Sequence, residues 1–105
     1  MNFGGSRFRA VARRQLDLFA EDEAALLEEG NTADRAWTGA GRDESEELFG
    51  DYQLVVDAIG ERLHDIRESY AGTLDEPTAH EYRKAFDRVA LKRFRRFASF
   101  LEDGE

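Results

Sequence analysis

The residues that come closest to a metal site lie in the stretch Glu-Arg-Leu-His at 61–64. Glu61 and His64 are three residues apart, the helical spacing with which ferritin-like bundles present two metal ligands on one face. His80 comes later in the chain and could reach the same face if two helices form a hairpin. Such ligands suit zinc, iron or manganese. Glu61 and His64 nevertheless fall outside the apolar side of their helix, so a metal site is our third hypothesis.

A second group of residues could bind phosphate. Residues 91–97 read LKRFRRF in a chain whose formal net charge is −8. A helical wheel puts the aromatic residues of this segment on the core side and leaves a row of cations outside. We call these cations the basic ridge: Lys84, Arg88, Lys92, Arg95 and Arg96. Because aromatic side chains point away from it, the ridge would bind the phosphates of a nucleic-acid backbone or an anionic lipid surface rather than stack on bases.

The charge pattern of the chain offers a different explanation of the basic ridge. Residues 1–16 carry four arginines and no acid, residues 17–68 carry sixteen acids against four arginines, and residues 83–97 carry seven cations against one acid. An up-down-up bundle places the last block beside the acidic end of the first helix. We therefore expect neutralisation within the chain or by a second copy, ahead of phosphate or an acidic protein partner.

Arg93 differs from the ridge because the wheel places it on the apolar side of its helix. A buried guanidinium needs an anion nearby. Asp22 and Glu23 lie on the inward side of the first predicted helix at the matching height. The sequence therefore predicts a structural ion pair between Arg93 and Asp22 or Glu23. The alternative is that Arg93 extends to solvent from the edge of the apolar side.

The elements that position these residues are helices. Proline occurs once, strand-type alternation is absent, and Gly, Asn and Thr cluster between helical stretches. The predicted helices cover residues 6–29, 43–71 and 76–102, with a linker at 30–42 that contains Trp37. Their similar lengths predict one all-α domain over residues 1–105, an elongated three-helix up-down-up bundle. We expect Trp37 to dock on this bundle; the alternative is an exposed tryptophan that anchors a partner.

The second predicted helix carries an apolar seam whose members are spaced alternately three and four residues apart. The seam consists of Phe49, Tyr52, Val56, Ile59, Leu63, Ile66 and Tyr70. Leu54 lies on the far side of this helix, where a lone bundle would leave it in water, and a thin bundle buries little surface. We therefore expect a homodimer. The predicted interface residues are Phe49, Tyr52, Leu54, Val55, Val56, Ile59 and Leu63.

Composition limits the remaining functions. The chain has 105 residues, no cysteine, 36% charged residues and 41% hydrophobic residues, so disulfide and thiol chemistry are excluded and a folded domain is expected. It carries neither an apolar run that could span a membrane nor a nucleotide-binding or nucleophile motif. No catalytic residue and no cofactor is therefore predicted. Our first hypothesis is a cytoplasmic, non-catalytic helical interaction or assembly protein; the second is a phosphate- or nucleic-acid-binding module.

Overall fold

The structure, a computed structural model, describes residues 7–97. Over this range the chain is all-helical, with four helices and no strand. The helices are α1 (Arg9–Asp22), α2 (Ala24–Thr38), α3 (Arg42–Ala71) and α4 (Glu76–Arg93). The predicted all-α class is confirmed for the described residues, but the predicted number of three helices is wrong.

The extra helix arises at the N-terminal side of the chain, where one helix was predicted over 6–29 and a linker over 30–42. The backbone of Glu23, with φ −111° and ψ 30°, separates α1 from α2 without a loop. Gly30 does not end a helix, because it lies inside α2 and has no positive φ. A Cβ atom at Gly30 would lie 3.1 Å from both Ile59 Cδ1 and Phe97 Cζ. Gly30 therefore serves close packing, and the connection shrinks to residues 39–41.

The other helix ends agree with the sequence signals to different degrees. α3 begins one residue before the predicted range 43–71 and ends at the predicted residue. α4 has its proline in the first turn, as expected for a helix start. It ends at Arg93 rather than at residue 102, and residues 94–97 form a turn. Residues 98–102 of the predicted helix lie outside the described residues.

The hydrophobic core lies between α1, α4 and the second half of α3. Its largest fully buried side chains are Tyr82, Phe86, Leu16, Ile59 and Leu63. α1 and α4 run parallel, because the ring of Phe8 packs edge-on against Tyr82 at 5.6 Å and the ring of Phe19 against Phe94 at 5.5 Å. These contacts fix the relative height of the two helices.

The core stops partway along the hairpin of α2 and α3. Gly30 is the buried residue of α2, and the first buried residue of α3 is Ile59. No residue between 31 and 58 is fully buried. We call residues 31–58 the hairpin tip. The molecule measures 50 × 26 × 25 Å, so it is elongated.

Candidate functional site

One flank of the hairpin tip is an aromatic cluster. The indole of Trp37 packs edge-on against Phe49 at 4.9 Å and lies 5.9 Å from the ring of Tyr52. Trp37 Nε1 is buried and makes no hydrogen bond within the described part of the chain. Burial, with the nearby carboxylate of Asp34, raises the pKa of Tyr52. Trp37 therefore docks on its own hairpin.

The opposite flank of the hairpin tip carries a groove between α2 and α3 of about 400 Å³. We call it the α2–α3 groove. Leu54 and Val55 of α3 line it together with Ala33 and Ala36 of α2. The side chain of Leu54 is 70% exposed, the most exposed large apolar side chain in the described part of the chain. This flank therefore combines a protruding leucine with a depression floored by small residues.

The predicted interface residues do not all remain available to a second chain. Phe49 is 43% exposed, and Tyr52, Val55 and Val56 are half-buried. Ile59 and Leu63 are fully buried in the chain's own core. Because Ile59 and Leu63 are already covered within one chain, their inclusion in an intermolecular interface is corrected. Tyr52, Val55 and Val56 are partly covered by packing against the same core.

Among residues 7–97, acidic side chains form few ion pairs with the basic ridge. All five of its residues are exposed, but Arg96 alone has an ion pair with a described residue, Nη1 to Asp34 Oδ2 at 2.6 Å. Lys84, Arg88, Lys92 and Arg95 have none within the described residues. Two successive like-charge pairs four residues apart along α4, Lys84 with Arg88 and Arg88 with Lys92, each cost about 0.2–0.5 kcal/mol. Among residues 7–97, ion pairs therefore do not neutralise these four side chains within the chain; neutralisation by a second copy, the other part of the expectation, stays a prediction.

Two further arginines face the same region, and sequence reasoning did not include them. Because α1 and α4 are parallel, Arg9 and Arg13 of α1 line a groove with Arg88 and Lys92 of α4. We call it the α1–α4 groove; its volume is about 330 Å³. A spacing of four residues on each helix was visible in the sequence, but it does not show which helices are neighbours.

Arg93 pairs with a different acid from those predicted. Its guanidinium contacts the carboxylate of Asp17 and lies 5.4 Å from the ring of Phe94. Asp22 is exposed, and Glu23 pairs with Arg62 at 3.7 Å instead. The prediction is wrong by more than one helical turn because the packing of Phe19 on Phe94 brings an earlier part of α1 level with Arg93.

An ion-pair network that joins α3 to α4 was not predicted. Arg83 contacts both oxygens of Glu68, with its Nε and Nη2 atoms each at 3.0 Å from one of them. Arg67 Nη1 donates to Asp87 Oδ1 at 2.8 Å, and Arg67 Nε donates to Glu68. The hydrogen bonds from Arg83 lower the pKa of Glu68, although burial opposes the shift. This network holds the α3–α4 hairpin together.

The predicted metal ligands do not form a cluster. Glu61, His64 and His80 are each exposed. Among residues 7–97, no three His, Cys, Asp or Glu side chains come together in a way that could hold a metal ion. His64 Nδ1 instead lies 3.3 Å from a guanidinium nitrogen of Arg67. The structure thus does not bring the three residues of the metal hypothesis to one point.

Comparison with known proteins gives no relative: no protein-family model matches the chain, and neither a curated protein nor a solved structure matches it significantly. In the described part of the chain, every helix is too short or too polar to cross a membrane. A function must therefore be inferred from the chain's own surfaces. These are the two flanks of the hairpin tip and the α1–α4 groove.

Proposed function

We propose that this protein is a homodimeric helical interaction protein whose hairpin tip pairs with the hairpin tip of a second copy. The observation that carries the proposal is the unfinished core: the seam of α3 continues through the tip, yet no residue from 31 to 58 is fully buried. Two helices from each copy would form a four-helix arrangement, which is the usual way to bury such faces. The lack of cysteine fits a reducing cytoplasm.

A second copy of the chain fits the α2–α3 groove, because the protruding side chain and the depression that would receive it lie on the same surface. A two-fold symmetric interface needs a surface that is complementary to itself. Leu54 protrudes at the edge of the groove, and Ala33 and Ala36 leave room for an apolar side chain. Around a two-fold axis, Leu54 of each copy enters the groove of the other. Fully burying a leucine contributes about 1.5–3 kcal/mol, and symmetry supplies this twice.

The proposed interface retains Leu54 and Val55 from the sequence prediction and adds the alanines of α2. Phe49 lies on the other flank, since five residues of helix separate it from Leu54 by roughly 140° around α3. The aromatic cluster of Trp37, Phe49 and Tyr52 therefore supports the shape of the tip rather than lying at the dimer axis.

Charges at the edge of the α2–α3 groove predict an unusual salt dependence. Glu29 and Asp51 line this groove, so the dimer brings carboxylates of both copies close together. Salt screens repulsion between exposed like charges. We therefore expect the dimer to become tighter as ionic strength rises, whereas an interface held by opposite charges would weaken.

The test is light scattering after size exclusion, over about two decades of protein concentration. We expect a concentration-dependent dimer in the unaltered chain and a monomer for Leu54→Glu. The matched control is Leu18→Glu, because Leu18 is also strongly exposed, at 53%, but lies on α1 outside the α2–α3 groove. Leu18→Glu is expected to dimerise normally.

Three results would refute the proposed function. The first is an unaltered chain that stays monomeric at every concentration. The second is equal loss of dimer in the Leu54 and Leu18 variants, which would point to a general effect of added charge. The third is a dimer that survives Leu54→Glu while circular dichroism shows that the variant is folded.

A further inference from the structure

The α1–α4 groove has the size and lining of a small-ligand site. Its volume of about 330 Å³ lies at the lower end of the range for ligand pockets. Arg9 and Arg13 form one wall, Arg88 and Lys92 form the other, and Val89 also lines it. Cations therefore converge on one space from two helices, which a row of charges along a single exposed helix cannot achieve.

The charge of this groove is largely uncompensated. Five cations and one carboxylate line it, and that carboxylate, Asp17, already pairs with Arg93. Arg9, Arg13, Arg88 and Lys92 make no ion pair with any residue in the range 7–97. In a chain of net charge −8, a groove whose described lining has five cations and one carboxylate is an exception to the overall balance. A bound anion would remove the repulsion among them.

We propose that the α1–α4 groove binds a compact anion that carries two or more phosphate groups. Guanidinium groups match phosphate oxygens with paired hydrogen bonds, and lysine adds a point charge. Two or more phosphates supply the charge that the cations of both walls require, because Arg9 and Arg13 stand on one wall and Arg88 and Lys92 on the other. The ligand is a soluble polyphosphate compound or the polyphosphorylated headgroup of a lipid, which share this chemistry.

An extended nucleic acid fits the groove less well. Binding of single strands relies on bases stacking on aromatic side chains, and among residues 7–97 no aromatic side chain lines this groove. Duplex nucleic acid therefore serves as the competing ligand in the experiment.

The test is isothermal titration of the full chain with sodium tripolyphosphate at low ionic strength. Removing a charged hydrogen-bonding group costs affinity about tenfold or more, so we expect a clear loss of binding in the double variant Arg13→Ala, Arg88→Ala. The matched control is Arg14→Ala, Lys84→Ala. It removes the same charge from the same two helices, but neither residue lines the groove, so its affinity should stay within about twofold of the original.

Parallel experiments identify the source of the phosphate. Sedimentation with vesicles that contain phosphatidylinositol bisphosphate, compared with phosphatidylcholine vesicles, detects the lipid form. Binding of tripolyphosphate or of the bisphosphate vesicles, lost in the groove variant and kept in the control, supports the proposal. Equal losses in the two double variants, or binding of a short DNA duplex without either of the other ligands, would overturn it. Ligand binding to the α1–α4 groove can be measured on monomer or dimer, so the result does not depend on the dimer proposal.

Discussion

Alanine substitutions at Gly30 and Gly50 test the packing that separates the core from the hairpin tip. Both glycines lie in helix interiors, where replacement by alanine gains about 0.8–1 kcal/mol of helix propensity. A new Cβ at Gly50 meets no atom within 4 Å, so Gly50→Ala should keep the full gain. This corresponds to a rise in Tm of about 4–8 °C.

The same change at Gly30 meets a crowded site. The new Cβ would lie 3.1 Å from Ile59 Cδ1 and from Phe97 Cζ, and 3.2 Å from Phe97 Cε1. Favourable carbon contacts lie at about 3.5–4.0 Å, and overpacking of a core costs about 1–3 kcal/mol. Subtracting the helix propensity leaves Gly30→Ala about 0–2 kcal/mol less stable than the original chain. The two alanine variants should therefore differ by about 1–3 kcal/mol.

A double-mutant cycle identifies the atom responsible. Ile59→Val removes the Cδ1 methyl that the new Cβ would meet, and by itself it costs about 0.5–1.5 kcal/mol. In the Gly30→Ala background it should cost less, because it relieves the contact. Urea unfolding at one fixed protein concentration, followed by circular dichroism and by the fluorescence of Trp37, gives each free energy of unfolding.

Close packing at Gly30 is refuted if Gly30→Ala stabilises the protein as much as Gly50→Ala does. In that case α2 would not approach Ile59 as closely as the structure shows, and Gly30 would be an ordinary helical glycine. Close packing against Ile59 is refuted if Ile59→Val costs the same in both backgrounds. Strain would then reside elsewhere, with Phe97 as the other neighbour of the new methyl group.

Two further predictions concern polar contacts between helices. Arg83 keeps the pKa of Glu68 low, so this pair stabilises the fold above the pKa of an unfolded glutamate and loses its effect as the pH falls from about 5 toward 3. In urea unfolding, Glu68→Gln should be less stable than the original chain at pH 7 and equally stable at the acid end of this range. The control Glu61→Gln changes an exposed carboxylate and should leave the stability unchanged at each pH. The hydroxyl of buried Tyr82 donates to Gln15 Oε1 at 2.7 Å. Tyr82→Phe should cost about 0.5–1.5 kcal/mol and Gln15→Leu, which leaves the hydroxyl without this acceptor, about 1–3 kcal/mol. Thermal unfolding in which Gln15→Leu is the more stable variant would contradict this account.

The sequence alone predicts the start of α3 within one residue, because the periodic seam extends over most of the helix. An apolar repeat of this length and spacing indicates a helix rather than a strand or a loop. It fails at Gly30, where a glycine followed by asparagine normally ends a helix. The physical reason is that glycine has two uses, left-handed backbone and close approach. Only the position of Ile59 and Phe97 shows that the second use applies here.

For the candidate surfaces too, the sequence determined some features and the tertiary structure decided the others. Residue types and helical spacing determined that α4 has an apolar side and a basic side, and that Leu54 points away from the seam. The alignment of α1 with α4 decided that Arg9 and Arg13 face Arg88, and that Arg93 pairs with Asp17. Periodicity fixes directions within one helix, whereas relative height and neighbours depend on contacts between side chains far apart in sequence. The extent of the core is likewise a tertiary property, since the continuous seam of α3 is covered only where other parts of the chain reach it.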